Sequence, residues 1–253
     1  MKNIDNLVED IYGVIDSGTE VHEEDMQFFL DFIRDETTRF FSKEERERGH
    51  KTSLRMSNIG KEPRKMWYDF YEPVNRDLKP NERIKFFYGH MLEAFLLFLC
   101  KVANHDVQDM QREVHLNGIK GHIDAIIDGV VTDAKSSSSF GFRKFDAFLA
   151  IDKQYGDLAL LPVEDMDTLD ASKRIDYLRD VLADKSKPPE RRHAEEVEDN
   201  GNRSLCSQCR WCHHKYNCWS DVNKGEGIRT FNYARGYKYF THVEKQPRVE
   251  EVL

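Results

Sequence analysis

Long apolar runs are missing from this sequence of 253 residues. No stretch of 18 apolar residues occurs, and the longest apolar stretch, from Met91 to Cys100, is interrupted by Glu93. A helix needs about 20 apolar residues to cross a bilayer, so no membrane span is expected. The first five residues, Met-Lys-Asn-Ile-Asp, are not followed by the apolar core of a signal peptide, which predicts a cytoplasmic location.

Positive charge is also in short supply, because 38 basic residues face 46 acidic ones and leave a net charge of −8. This balance argues against a protein that coats nucleic acid through bulk electrostatics, but it is compatible with an enzyme that has a local basic groove. With 39% hydrophobic and 11% aromatic residues, the chain can bury a core. Its length suits one large domain or a core with appendages.

Cysteine is scarce outside one segment. Four of the five cysteines fall within thirteen residues, at Cys206, Cys209, Cys212 and Cys218. Without a secretion signal, this spacing predicts thiolates around one soft metal centre in a reducing cytoplasm, not a disulfide framework. His213 and His214 are alternative ligands, although a surface position is the favoured interpretation for both. The fifth cysteine, Cys100, lies in an apolar helix and is a predicted core thiol.

Five segments follow one another along the chain. Residues 1–50 carry apolar residues at helical spacing and form a predicted N-terminal helical extension. A core of helices and strands is predicted for 51–183, a charged linker for 184–204, a cysteine knuckle for 205–226 and a C-terminal strap for 227–253. The strap interleaves aromatic and basic residues, which also suits single-stranded nucleic acid, but docking on the core is the favoured interpretation.

The clearest helix prediction runs from Asn81, as the N-cap, to about Ala103. Its apolar face is interrupted by His90 and Glu93, which share a face at a spacing of three residues. Either the two side chains bond each other or a neighbouring backbone group, or His90 reaches a metal ion. The other predicted elements are strands at 112–116, 119–127 and 130–136, a hairpin of 147–152 and 158–163, and a helix at 170–183.

A basic segment precedes this helix. Ser57 or Asn58 is predicted to cap a helix that turns Arg64 and Lys65 outward. Basic residues at a helix start suit phosphate binding, so Arg55, Ser57, Arg64 and Lys65 are the predicted nucleic-acid contacts. An ordinary solvated helix is the alternative.

Residues 121–135 carry the strongest chemical signal. Asp128-Gly129 is a turn pair between two predicted strands, and alternation along the second strand places Asp133 and Lys135 on one face. Asp124 faces them from the first strand. Two carboxylates and an ammonium on an apolar ribbon are unfavourable to desolvate unless they are paired or bind metal. Carboxylate oxygens suit Mg²⁺ or Mn²⁺, and the lysine can orient or deprotonate a water or stabilise charge on a phosphate.

The Asp…Asp-x-Lys arrangement resembles the PD-(D/E)XK nucleases. Together with the other motifs it is similar to the RecB-like branch, which includes CRISPR-associated and small tailed-phage exonucleases. The matching motifs are Arg55-x-Ser57 with Pro63–Tyr68, Gly89-His90-x-x-Glu93, Asp124, Asp133-x-Lys135, and Cys209-x2-Cys212-x5-Cys218. The resemblance covers roughly residues 52–222.

This resemblance implies an α/β (α+β) fold with a restriction-endonuclease-like core, in which helices flank a mixed central β-sheet. It implies a DNA exonuclease with Mg²⁺ or Mn²⁺ held by His90, Asp124, Asp133 and the Ala134 carbonyl, and with Lys135 as the catalytic lysine. It also implies a [4Fe–4S] cluster or Zn²⁺ at the cysteines. DNA is the implied partner, with a recombination or single-strand-binding protein as a second one, in the host cytoplasm if a phage encodes the chain. A non-catalytic nucleic-acid-binding module with a structural metal is the alternative.

The sequence departs from the family pattern in two places. The early cysteine of the family would fall near Glu62, and Cys206 is the local candidate to replace it. The family also has a helix after the Asp-x-Lys strand, but only Ser136 to Asp146 separates that strand from the next. A crossover with its helix needs about a dozen residues, so the helix is deleted or a segment is missing near Phe145 and Asp146. The intact flanks favour a missing segment.

Overall fold

A computed structural model describes residues 2–42, 53–74, 78–142, 149–160 and 170–252. The end of the predicted N-terminal extension and the junction between Phe145 and Asp146 lie outside these ranges. The chain forms two compact units, one of residues 1–59 and 77–174 and the other of residues 60–76 and 175–253. Helices and several small sheets confirm the mixed α and β class.

The helices in chain order are α1 (Leu7–Ser17), α2 (Glu23–Phe41), α3 (Pro63–Tyr71), α4 (Pro80–Val102), α5 (Ser139–Phe142), α6 (Ala171–Ala183), α7 (Ser207–Arg210), α8 (Lys215–Cys218) and α9 (Val222–Gly225). The strands are β1 (Val107–Gln108), β2 (Glu113–Leu116), β3 (Ile119–His122), β4 (Ala125–Ile127), β5 (Val130–Thr132), β6 (Ala134–Ser137), β7 (Leu149–Asp152), β8 (Leu158–Leu160), β9 (Glu196–Val197), β10 (Arg203–Ser204), β11 (Arg229–Tyr233), β12 (Gly236–His242) and β13 (Glu251–Val252). None of the helices in the described ranges has the length and apolar composition that a bilayer span requires.

Helix α4 is the main support of the first unit. Its N-cap is Lys79 and not the predicted Asn81, because Pro80 occupies the first turn and the Glu82 carboxylate accepts the Lys79 N–H at 3.0 Å. The last two turns are buried, including the Cys100 thiol, which confirms the predicted core position. These turns pack with α1 and with β4, β6 and β7 in one apolar cluster. Each fully buried Leu or Ile there stabilises the fold by about 1.5–3 kcal/mol.

The predicted strands 119–127 and 130–136 are each broken at an acidic residue. Asp124 separates β3 from β4, and Asp133 separates β5 from β6. The turn between β4 and β5 is as predicted, since Asp128 and Gly129 both have positive φ, of 50° and 84°, and join Ile127 to Val130. The breaks divide the expected single sheet into smaller ones, with orders β1-β4-β5, β2-β3 and β6-β7-β8 in this unit.

Strand β6 lies next to β7 in parallel, with Ala134 opposite Leu149 and Ser137 opposite Asp152. The connection between them, residues 138–148, contains the four-residue helix α5 in its described part. Strands β7 and β8 form the predicted hairpin over their described residues. A short crossover therefore connects the strand that carries Lys135 to the rest of its sheet.

The second unit joins α3 to the C-terminal part of the chain. Its sheet has the order β13-β11-β12-β10-β9, with Phe231 and Phe240 fully buried. The predicted linker 184–204 contributes β9 and β10, and the predicted strap 227–253 contributes β11 to β13. Helix α3 begins at Pro63, not at a cap near Ser57 or Asn58, because a proline fits the first helical position. Trp67 is buried on it.

Candidate functional sites

Three residues of the 121–135 segment meet at the ends of the broken strands. The Lys135 Nζ atom lies 2.7 Å from Asp133 Oδ1 and 3.3 Å from Asp124 Oδ2. The backbone N–H of Ala134 donates to Asp124 Oδ2 at 2.9 Å, and the Ala134 carbonyl lies 3.3 Å from Lys135 Nζ. The structure therefore brings Asp124, Asp133, Ala134 and Lys135 together, as the sequence pattern predicted.

Glu93 belongs to the same charge cluster, although the sequence pattern pointed to His90 instead. Burial and the nearby charge of Asp124 raise the pKa of Glu93 to about 7. Gln111 Nε2 donates to Glu93 Oε1 at 2.8 Å. In the sequence, Glu93 stood out as an acidic residue on the apolar face of α4. Helical spacing alone could not show whether Glu93 or His90 would join the charge cluster. We call Glu93, Asp124, Asp133 and Lys135 the acid site.

The charge states of the acid site follow from its burial. Burial raises the pKa of Asp133 and the Asp124 carboxylate raises it further, while Lys135 opposes both effects. Burial alone would lower the pKa of Lys135, but Asp133 and Asp124 outweigh burial and raise it. Lys135 is therefore held as an ammonium at neutral pH. In this state it stabilises negative charge and orients ligands, and it does not act as a general base.

His90 is directed to another partner. Its Nδ1 atom lies 2.9 Å from Glu36 Oε2, on α2, and its side chain is half-exposed. Within the described ranges, one set of three ligand atoms lies within 4.8 Å of one another, and it does not include His90. The expected convergence of His90 with Asp124 and Asp133 is thus not seen. The i,i+3 spacing gave no information about Glu36, which is 54 residues away in the sequence.

The predicted nucleic-acid contacts divide between the two units. Arg55 and Ser57 are exposed in the first unit, and the Arg55 backbone N–H donates to Asn58 Oδ1 at 2.9 Å. In the second unit Arg64 and Lys65 do not point outward as expected. Arg64 Nε donates to Cys218 Sγ at 3.1 Å, and Lys65 Nζ donates to Asp69 Oδ2 at 2.7 Å. Both basic side chains therefore bond groups around the cysteine knuckle and not the solvent.

Three cysteines of the knuckle border one cavity. The cavity has a volume of about 260 Å³ and is lined by Cys209, Cys212 and Cys218. Glu62 lines it too, at the position where the family resemblance expects its early cysteine. All five cysteines are free thiols in the structure.

Burial favours the protonated thiols of Cys209 and Cys212 when no metal is bound. Burial, with a contribution from Cys206, raises the pKa of Cys209 to about 12, and burial also raises the pKa of Cys212. Positive groups gather near Cys218, whose carbonyl accepts from the Arg191 guanidinium at 2.6 Å. A metal that binds here displaces thiol protons, so its affinity increases with pH.

A buried histidine lies beside this cavity. His214 is 1% exposed and its Nε2 atom lies 2.7 Å from Asp69 Oδ1, so the favoured surface interpretation is wrong for this residue. His213 is 40% exposed and lies 3.3 Å from the same oxygen. Asp69, His213 and His214 form the one set of ligand atoms within 4.8 Å noted above. Burial raises the pKa of Asp69, but hydrogen bonds from His214 and Lys65 outweigh burial and hold it well below its usual range.

Comparison of the chain with protein-family models, curated proteins and solved structures found no match. The resemblance to the PD-(D/E)XK nucleases stays a prediction that depends on the motifs. The chemistry of the two sites has to be inferred from their own residues.

Proposed function

We propose that the chain is a metal-dependent deoxyribonuclease that hydrolyses phosphodiester bonds from DNA ends, with the acid site as its catalytic centre. The observation that carries this proposal is the contact of one ammonium, Lys135, with two carboxylates, Asp124 and Asp133. A third carboxyl group, Glu93, adds to the same electrostatic cluster. An ordinary surface ion pair needs one acid for one base, whereas this cluster has an excess of negative charge.

The excess charge fits a divalent cation. The raised pKa values of Asp133 and Glu93 reflect carboxylates that lack sufficient positive charge in a poorly solvated position. Asp124 and Asp133 would hold Mg²⁺ or Mn²⁺, with Glu93 and the Ala134 carbonyl as further oxygen donors. A bound ion of this kind supplies polarisation of a phosphate and a more acidic water.

The side chains around the ion position have separate tasks. The Ala134 N–H orients the Asp124 carboxylate, because it donates to Oδ2. The Lys135 ammonium stabilises the negative charge that develops on the phosphate oxygens. His90 is not a metal ligand in this scheme, since its Nδ1 atom is bonded to Glu36.

The β4–β5 hairpin, strand β6 and the parallel strand β7 support a PD-(D/E)XK core. Asp124 precedes β4 of this hairpin, and β6, which pairs with β7, carries Lys135. The four-residue helix α5 follows β6 in the described part of the connection. Exonuclease action on DNA rests on the family resemblance alone, whereas phosphodiester hydrolysis rests on the acid site.

For the knuckle we propose a structural metal centre, and the sulfur positions favour a cluster over a single zinc ion. Tetrahedral Zn²⁺ with Zn–S bonds of about 2.3 Å requires sulfur atoms about 3.8 Å apart. No three knuckle thiols, all of which are in the described ranges, lie within 4.8 Å of one another. An iron–sulfur cluster holds its thiolates farther apart and fills more of the 260 Å³ cavity than a single ion does.

A nuclease assay tests the catalytic proposal. End-labelled linear DNA and circular DNA are incubated with the wild-type protein in Mg²⁺, Mn²⁺ or EDTA. We expect degradation of the linear DNA with either metal and none in EDTA. Asp133→Ala should lower the rate by about 100-fold or more, because it removes a metal ligand and a partner of Lys135.

The matched control is Asp170→Ala, which breaks an exposed Asp–Lys pair of 3.0 Å with Lys173 in the same unit. This control should leave the rate unchanged. Wild-type protein that binds DNA with normal folding but never cuts it would contradict the proposal. That result would support the alternative, a non-catalytic nucleic-acid-binding module.

A further inference from the structure

One nitrogen of a buried histidine lacks a partner. His214 Nε2 is bonded to Asp69, but His214 Nδ1 is buried and has no hydrogen-bond partner among the described residues. A buried polar atom without a partner destabilises a fold by about 1–3 kcal/mol. In a native fold such an atom is often the partner of a bound water or an ion.

The position of His214 beside the knuckle cavity accounts for its unpartnered nitrogen. His214 lines the cavity that Cys209, Cys212 and Cys218 border, whereas Asp69 does not line it. The Nε2 atom bonds Asp69, so Nδ1 is the ring nitrogen left for a ligand. Tyr68 stacks on the ring at 5.5 Å between centroids and fixes its plane. His214 follows Cys212 by two residues, so ring and thiol belong to one local segment.

A chain of hydrogen bonds sets the tautomer of this histidine. Lys65 Nζ donates to Asp69 Oδ2 at 2.7 Å, and Asp69 Oδ1 lies 2.7 Å from His214 Nε2. The carboxylate holds the ring proton on Nε2, which leaves a lone pair on Nδ1. Histidines that bind metals usually donate their second ring N–H to a carboxylate in this manner.

We infer that His214 Nδ1 is the fourth ligand of the knuckle centre, together with the thiolates of Cys209, Cys212 and Cys218. Imidazole is a good ligand for iron, so this set suits the cluster proposed for the knuckle. The inference rests on the metal centre proposed for the knuckle and is independent of the nuclease reaction. It also explains how the chain manages without the early cysteine of the family.

Cys206, His193 and Glu62 are the other candidates for the fourth position. Cys206 raises the pKa of Cys209, but it is not one of the residues around the cavity. His193 lines the cavity, but its Nε2 lies 3.8 Å from Glu62 Oε1. Glu62 lines the cavity, but its Oε1 accepts from Arg192 Nη1 at 3.0 Å. His214 combines a position at the cavity with an unused lone pair.

A competing arrangement would use the opposite nitrogen. Asp69, His213 and His214 could hold a separate ion through the two Nε2 atoms and Asp69 Oδ1. Metal on Nε2 would move the proton of His214 to Nδ1 and leave a buried N–H without an acceptor. This penalty favours ligation through Nδ1, and variants of His213 distinguish the two arrangements.

The test compares metal retention in variants of the full chain. Wild type, His214→Ala, His214→Cys, Cys206→Ser and His213→Ala are purified without oxygen, and iron, zinc and acid-labile sulfide are measured per chain. We expect His214→Ala to lose the metal, whereas Cys206→Ser and His213→Ala retain it. His214→Cys should regain it with an altered visible absorption, because a fourth thiolate adds sulfur-to-metal charge transfer. Co²⁺ replaces the native ion for this spectrum if the metal is zinc.

Asp69→Asn tests the positioning role of the carboxylate. It should weaken metal retention by about 10–100-fold in a chelator competition, as loss of such an outer partner generally does.

Far-UV circular dichroism checks folding of every variant. If His214→Ala fails to fold, the metal content of His214→Cys tests the ligand assignment instead. Full metal content in His214→Ala with loss in Cys206→Ser would overturn the inference. Equal losses in His213→Ala and His214→Ala, without rescue by cysteine, would assign the metal to the competing arrangement. Metal-free wild-type protein would remove the knuckle centre itself, while leaving the nuclease proposal to its own assay.

Discussion

The acid site and the cysteine knuckle both gather ionisable groups, but they hold these groups in opposite states. In the acid site a protonated lysine lies between ionisable carboxyl groups, so charges of both signs are present without a metal. In the knuckle, burial keeps the thiols of Cys209 and Cys212 neutral until a metal displaces their protons. The acid site is therefore assembled without a metal, whereas the proposed knuckle centre needs a metal to ionise its thiols.

This difference has consequences for folding. The acid site stands on strands that pack against the buried turns of α4, so apolar burial supports it. Cys209 and Cys218 are carried by α7 and α8, which have four residues each and are too short to be stable by themselves. Cys206 and Cys212 lie just outside these two helices. Removal of metal should thus abolish activity at the acid site and unfold the cysteine knuckle.

The largest effect is expected from Cys212→Ser. Loss of a thiolate should release the metal and unfold residues 205–226, since binding of a structural metal contributes about 10 kcal/mol or more to such segments. Hydrogen exchange resolved by peptide measures this. We expect rapid exchange in the knuckle and unchanged protection in α4. Unchanged protection of the knuckle would mean that its fold does not depend on metal, and the contrast between the sites would disappear.

A smaller effect is expected behind the acid site, from Asp128→Asn. Asp128 Oδ2 lies 2.6 Å from Nδ1 of His105, and both side chains are buried. Removal of the charged partner should lower the free energy of unfolding by about 1.5–3 kcal/mol. Asparagine tolerates the positive φ of this turn, so backbone strain does not contribute.

Urea unfolding in EDTA measures this loss, with Asp31→Asn as the control because Asp31 is exposed in its pair with Arg34. The control should change the free energy by less than about 0.5 kcal/mol. An equal effect of the two variants would show that the turn is not what holds the acid site in place.

The smallest effect depends on pH and concerns Glu93. Its pKa is raised from 4.5 to about 7 in the folded chain, so the folded state binds more protons than the unfolded state between these values. The stability that protonated Glu93 contributes is therefore fully present below about pH 4.5 and is lost as the pH rises through 7. Glu93→Gln should remove this loss and be more stable than wild type by roughly 1–2 kcal/mol at pH 8, with no difference at pH 4.

Thermal unfolding of both proteins in EDTA across this pH range measures the difference. Mg²⁺ should reduce it, because a bound cation neutralises the carboxylates of the wild type. Parallel stability curves for wild type and Glu93→Gln would show that Glu93 does not share the electrostatic cluster of Asp124 and Asp133.

Several of these features could be predicted from the sequence because they depend on neighbours along the chain. The Asp128-Gly129 pair specifies its turn through positive φ angles. Alternation brings Asp133 and Lys135 to one face, and spacing of apolar residues identifies α4. The close spacing of the cysteines identifies the knuckle.

The remaining features depend on residues that are distant in sequence. The strand breaks at Asp124 and Asp133 arise where neighbouring segments pair with different partners, which propensity does not specify. His214 is buried because it meets Asp69, 145 residues earlier. His90 meets Glu36 in the same way, and the choice between His90 and Glu93 was therefore not decided by the pattern on their helix.

The most direct test of the catalytic claim compares Lys135→Ala with Lys173→Ala. Lys135 bonds Asp124 and Asp133, whereas Lys173 pairs with the exposed Asp170 in the same unit. Initial rates on end-labelled linear DNA are measured in Mg²⁺ after metal content and folding are matched. We predict a loss of about 100-fold or more for Lys135→Ala and none for Lys173→Ala. Equal rates for the two variants would contradict the assignment of catalysis to the acid site.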